Sequence, residues 1–98
     1  MWIVVAYDIR ENKTRFRVSS YLRCEGFYRL SRSVYAARGN YARGWRIAKK
    51  IKSLISEEDI VHIFFIQEQD YGKTIIISGA SLSKYRESRG DVHTVFFG

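Results

Sequence analysis

Cysteine occurs once, at position 24, so the chain cannot close a disulfide on itself and nothing in it points to an oxidising compartment. The two histidines and that cysteine lack zinc spacing, there is no glycine-rich phosphate loop, and no Ser-His-Asp arrangement can be assembled. These absences set aside zinc-dependent, P-loop and serine-hydrolase chemistry. Long hydrophobic runs are missing too. Met1 to Tyr7 is shorter than a signal peptide or membrane span and charge follows at once, so a cytoplasmic protein without membrane association is expected. Repeats and low-complexity linkers are absent, and a length of 98 residues suits one small core.

Acidic charge is also scarce. There are 17 Lys+Arg against 10 Asp+Glu, a formal net charge of +7. The imbalance is local: residues 10 to 52 carry 13 basic and 2 acidic side chains, whereas residues 53 to 72 carry 5 acidic and no basic ones. One end or face should therefore be strongly positive, and a polyanion is the natural partner. Arginines interleave with aromatics in that stretch, which favours DNA or RNA over a basic surface kept only for solubility.

Apolar residues make up 46% of the chain, with 7 Tyr, 6 Phe and 2 Trp, enough to build a core. Residues 2 to 7, Trp-Ile-Val-Val-Ala-Tyr, form a β-branched and aromatic run of central-strand type. A helix is expected from an Asn12 cap through Glu25, with Val18, Tyr21 and Leu22 inward, Phe16 flanking, Cys24 in the packing and Gly26 just past the end. Phe27 to Ala37 reads as one or two strands with room for a bulge. After a turn at Gly39 and Asn40, Trp45, Ile47, Ala48, Ile51, Leu54 and Ile55 predict a second amphipathic helix with Arg46, Lys49, Lys50 and Lys52 on its other side. Residues 60 to 66 form another apolar strand, and Thr74 to Ser78 a further short one.

The order strand, helix, strand, strand, helix, strand predicts an α+β fold, a ferredoxin-like βαββαβ sheet with both helices on one face. The extra strand needs an edge to pair with, and a second copy of the chain would supply one by strand exchange in a homodimer. The expected organisation is a domain over 1–78 and a tail over 79–98 whose structure the residues do not specify.

Asp8 closes the first strand, directly after the apolar run and close to the first helix. A carboxylate at a sheet rim suits Mg²⁺, or Mn²⁺, for phosphodiester chemistry. The alternative is that Asp8 caps the helix or pairs with an arginine, and a lone carboxylate favours that alternative. A homodimer changes the count, because a two-fold axis near the strand end would bring a second Asp8 alongside. Arg10, Arg15, Arg17, Arg29 and Arg32 are expected around the same strand ends, where guanidinium forks match phosphate oxygens. Ser33 is a candidate for a phosphate contact. Tyr35, Tyr41 and Trp45 are candidates for stacking on bases or for core packing, and His62 for a strand residue rather than a base.

Val4-Val5-Ala6-Tyr7-Asp8-Ile9, then Arg15-Phe16-Arg17-Val18, Leu22, Gly26-Phe27 and Arg29-Leu30-Ser31-Arg32-Ser33-Val34-Tyr35 together resemble the Cas2 family of CRISPR-associated proteins, over roughly residues 1 to 78. The resemblance implies a ferredoxin-like homodimer whose last strand crosses to the partner sheet, with paired aspartates corresponding to Asp8 at the axis. It places Arg15, Arg17, Arg29, Ser33 and Tyr35 at positions linked to nucleic-acid binding or cleavage. It also implies a role in spacer acquisition, a CRISPR integrase subunit as partner, and either Mg²⁺-dependent endonuclease activity on RNA or DNA or a non-catalytic scaffold function. Ser31, where the family often carries Gln, and the long tail depart from the pattern. A toxin ribonuclease of the same fold, needing no integrase, is a third reading.

Overall fold

The computed structural model describes residues 1–79 together with the backbone of 81–86 and 91–95. The chain divides into two compact units, Met1–Phe65 and Ile66–Gly98. The boundary expected at residue 78 falls inside the second of these.

The first unit holds β1 (Trp2–Asp8), α1 (Asn12–Cys24), β2 (Tyr28–Ser31), β3 (Val34–Arg38), α2 (Tyr41–Lys52) and β4 (Ile60–Ile66, whose last residue enters the second unit). Its sheet runs β2-β3-β1-β4, the strand order of a ferredoxin-like domain. β1 and β3 pair antiparallel from Trp2↔Arg38 to Ala6↔Val34. Alternation along β1 puts Ile3, Val5 and Tyr7 on the helix side, where with Ile9 they pack against Val18, Leu22, Phe27, Tyr35, Ile47 and Ile51. Asp8 has the parity of Trp2, Val4 and Ala6, which face the other way.

α1 begins one residue earlier than expected. Glu11, not Asn12, is the N-cap, and it makes no side-chain capping bond. A missing cap costs about 1 kcal/mol, less than the roughly 1.5–3 kcal/mol contributed by burying each of Val18 and Leu22. Packing therefore sets this terminus. The other end is specified locally: Gly26 has φ +87°, its N–H donates to the Arg23 carbonyl and the Phe27 N–H donates to the Leu22 carbonyl, both at 3.0 Å. That is a Schellman ending, in which a residue with a Cβ would be strained. Cys24, expected in the packing, is exposed.

In α2 the Asn40 side chain accepts from the Arg43 N–H at 2.8 Å, and Gly44, Ile47 and Ile51 face inward. A Cβ on Gly44 would meet the Phe65 ring at 2.3 Å, so only glycine permits this approach. Trp45 is 66% exposed, because it lies one residue, about 100°, off the inward line begun by Gly44. It does not join the core. The β2–β3 hairpin turns at Arg32 and Ser33, with a register shift between Arg29 and Ser31 that leaves Leu30 as the extra residue.

The second unit contains the short helix α3 (Glu68–Tyr71) and the antiparallel sheet β5-β6-β7, formed by Ile75–Ser78, Ser81–Arg86 and Asp91–Val95. β5 pairs with β6 of its own chain, from Ile75↔Lys84 to Ser78↔Ser81, and is an edge strand of that sheet. The segment expected as a tail supplies the other two strands.

Candidate nucleic-acid interface

Three pieces of the first unit converge where β1 ends. The Tyr7 hydroxyl donates to the Arg32 carbonyl at 3.2 Å and the Tyr7 N–H to the Ser33 carbonyl at 3.0 Å, tying the hairpin turn to the strand end that carries Asp8. One Arg15 nitrogen donates to the carbonyls of Ile9 and Arg10 at 3.1 and 3.2 Å, tying α1 to the same loop. Between them lies a cavity of about 480 Å³, lined by Tyr7, Asp8 and Ile9 of the strand end, one face of α1 and the β2–β3 hairpin.

The α1 face is made by Arg15, Phe16, Ser19 and Arg23, and the hairpin contributes Arg29, Arg32, Ser33 and Tyr35. Residues 15, 19 and 23 recur at helical spacing on one side, while Thr14, Val18 and Leu22 face the core. Four guanidiniums and one carboxylate, Asp8, thus share the cavity. Arg46 pairs with Glu25 away from the cavity, and among the described residues none of these four guanidiniums has a carboxylate ion-pair partner. The site is set up to receive anions.

Its floor is aromatic. Tyr7 and Tyr35 stack with centroids 6.2 Å apart at 17°, and burial, followed by the neighbouring Tyr35, pushes the Tyr7 hydroxyl above the usual tyrosine range. Tyr35 is 1% exposed, so it supports the site from beneath and offers no open ring face for a base.

Of the residues expected from sequence, Asp8, Arg15, Arg29, Arg32, Ser33 and Tyr35 are brought together, and Arg10 and Arg17 are not. Arg10 instead helps to hold the Asp59 carboxyl below its usual range: the Ser56 N–H is the main cause, and the Arg10 backbone and charge add to it. Arg17, two positions from Arg15, points round the helix from the cavity. Sequence reasoning missed Arg23 and Ser19, although their spacing of eight and four from Arg15 was a usable signal. His62 is exposed and stacks on Phe64, with centroids 6.0 Å apart. Among the described residues no group of three or more His, Cys, Asp or Glu converges as a metal cluster, and no helix is long and apolar enough to cross a membrane.

Fold and cavity together define a small ferredoxin-like protein with an arginine-lined, anion-receptive site beside a strand-end aspartate. The family profile described as CRISPR associated protein Cas2 matches residues 1–74, and the chain belongs to that family. It is 31% identical over 93 residues to a CRISPR-associated endoribonuclease Cas2 of Thermofilum pendens, covering 95% of this chain and all of that protein. A Thermus thermophilus protein of the same name is 26% identical over 88 residues, covering 89% of this chain and 93% of that one. The crystal structure of Streptococcus pyogenes Cas2 at pH 6.5 superposes with a TM-score of 0.68 at 18% identity, over 80% of this chain and all of that one, and it shares the ferredoxin-like fold.

Proposed function

We propose that this protein is a CRISPR-associated endonuclease that binds the phosphodiester backbone of RNA or DNA in the arginine-lined cavity and cleaves it beside Asp8 with the help of Mg²⁺. The observation that carries the reading is the pairing of four guanidiniums that lack ion-pair partners with one exposed carboxylate at the end of β1. The endoribonuclease names of the relatives from Thermofilum pendens and Thermus thermophilus support it.

The residues fit a hard divalent cation. Mg²⁺ keeps several waters and is held by one or two carboxylates, of which Asp8 is one, and the Ser33 hydroxyl lines the same cavity. Bound there, the ion would supply Lewis acidity toward a phosphoryl oxygen and a water of lowered pKa. The chain's own part is positioning. Arg29 and Arg32 approach from the hairpin and Arg15 and Arg23 from α1, so a backbone laid between them is held from both sides. Asp8 has the parity of the sheet face away from the helices, so a second copy meeting that face would bring a second Asp8 as the other carboxylate. An integrase subunit of the spacer-acquisition machinery is the further expected partner.

A single carboxylate among four guanidiniums also favours a second reading, a non-catalytic protein that bridges duplex DNA. Cleavage separates the two. Asp8→Asn should lower Mg²⁺-dependent cleavage at least about a hundredfold, the loss of several kcal/mol of transition-state stabilisation, with binding nearly unchanged. Cleavage that survives the substitution contradicts the catalytic assignment; wild-type protein that binds but never cleaves is the outcome the bridging reading requires.

A further inference from the structure

The cavity holds more positive charge than an internal stretch of backbone brings to it. Four guanidiniums, those of Arg15, Arg23, Arg29 and Arg32, face the one carboxylate of Asp8, an excess of three positive charges around about 480 Å³. Each guanidinium has five N–H donors, and few of them are spent. One Arg15 nitrogen is used on the Ile9 and Arg10 carbonyls, and Arg29 makes its long bond through Nε to the Ser31 carbonyl. Among the described residues the Arg23 and Arg32 guanidiniums have neither a hydrogen-bond acceptor nor an ion-pair partner.

We infer that the cavity is a socket for the 5′-phosphorylated end of a nucleic-acid strand, preferring a terminal monophosphate, and more strongly a polyphosphate, over an internal phosphodiester. The inference rests on the proposed function and names the part of the substrate that its cavity holds best. About 480 Å³ lies in the lower half of the ~300–1,000 Å³ typical of sites that take one small molecule, room for about one nucleotide unit. An internal unit brings a single negative charge and leaves most of the excess unmatched. A terminal phosphoryl group brings about 1.5–2 negative charges at neutral pH and three oxygens that accept from several directions. Guanidiniums that converge from α1 on one side and the hairpin on the other suit such a group, since each fork takes a pair of oxygens. Every further phosphoryl group adds charge and acceptors in the same place. A strand carries a polyphosphate at its 5′ end, where synthesis begins, and that is the end assigned to the cavity.

The test is the affinity of the full-length protein for one short oligonucleotide carrying a 5′-hydroxyl, a 5′-monophosphate, a 5′-triphosphate or, as an isomer of equal charge, a 3′-monophosphate. An internal label read by fluorescence anisotropy in metal-free buffer keeps cleavage from intervening. The 5′-monophosphate should tighten binding about tenfold over the hydroxyl strand, the worth of one charge-assisted hydrogen bond, and the 5′-triphosphate about a hundredfold. The 3′-monophosphate should gain less than about twofold. Equal affinity for all four strands, or an equal gain from the 3′ isomer, would overturn the inference. A free nucleoside triphosphate should displace the triphosphate strand only in excess; displacement at equal concentration would assign the cavity to free nucleotides and overturn the strand-end assignment. Changing Arg23 and Arg32 together to Ala should remove most of the preference with unchanged melting, since both guanidiniums are exposed. If that variant weakens the hydroxyl and phosphorylated strands by the same factor, the end preference fails and the phosphate site stands. Wild-type protein that binds no strand overturns both.

Discussion

Arg43 and Arg46 on α2 end on acceptors, whereas Arg23, Arg29 and Arg32 around the cavity end largely in solvent. Arg43 donates to the Arg38 and Glu25 carbonyls and covers the Phe27 ring, so it joins α2 to the end of β3, the end of α1 and the loop before β2. Arg46 pairs with the Glu25 carboxylate at 2.5 Å. The cavity set has no carboxylate partner, and Arg29 makes one long bond, 3.4 Å, to the Ser31 carbonyl. The same residue type thus divides between holding the fold and waiting for an anion, and net charge alone does not tell the two apart. What decides is whether a guanidinium finds an acceptor within its own chain, and Arg15, which lines the cavity while donating to the Ile9 and Arg10 carbonyls, does both.

The largest expected effect that would break this comparison is on stability. Arg43→Ala removes a charged donor from two carbonyls, one of its bonds being part-buried, and should cost about 2–3 kcal/mol. Denaturant unfolding should show the loss while affinity per folded molecule stays unchanged; a stable variant that binds poorly would place Arg43 in the ligand set. Arg32→Ala should do the reverse, lowering nucleic-acid affinity about tenfold and flattening its salt dependence by roughly one phosphate's share, with the unfolding midpoint unmoved. The smallest effect concerns Glu25. Hydrogen bonding from Arg46 is the main cause holding its carboxyl below the ordinary 4.5, so the stabilisation is fully present above that pH and is lost as pH falls through the lower folded value. Glu25→Gln should therefore lower stability slightly at neutral pH and flatten the acid limb of a melting-temperature profile. An unchanged acid limb would remove Glu25 from the fold-holding set.

Much of the framework was legible because period and punctuation agreed. The apolar runs of β1 and β4, the Val18 and Leu22 line and the glycine at the end of α1 each had one structural use, and together they forced the βαββαβ order. Where signals competed, sequence reasoning went astray. Hydrophobicity places Trp45 in the apolar stripe of α2, yet Gly44, which looks featureless, holds the inward position because the Phe65 ring needs that space. Residue type alone favours packing for Cys24, which is exposed in the last turn of α1. Residues 81–86 and 91–95 pair as strands, but Ser, Lys and Arg interrupt the first, and the apolar stretch that begins at Val92 carries no signal of which strand it pairs with.

The site was legible in part for a similar reason. Asp8, Arg29, Arg32 and Ser33 stood out by their places at a strand end and a hairpin turn. Arg10 and Arg17 are near them in sequence, but a loop and the turn of a helix carry both away from the cavity. Arg23 is hard to read from sequence because its link to Arg15 runs through two helical turns.

The central claim is that nucleic-acid phosphates enter the arginine cavity, and the salt dependence of affinity reads it most directly. A single-strand binding isotherm series across ionic strength, for wild type and for Arg23, Arg29 and Arg32 all changed to Ala, should give a log–log slope shallower by about 2 in the variant, from roughly 0.7 per phosphate lost. An identical slope in the two proteins would mean that the phosphates bind elsewhere.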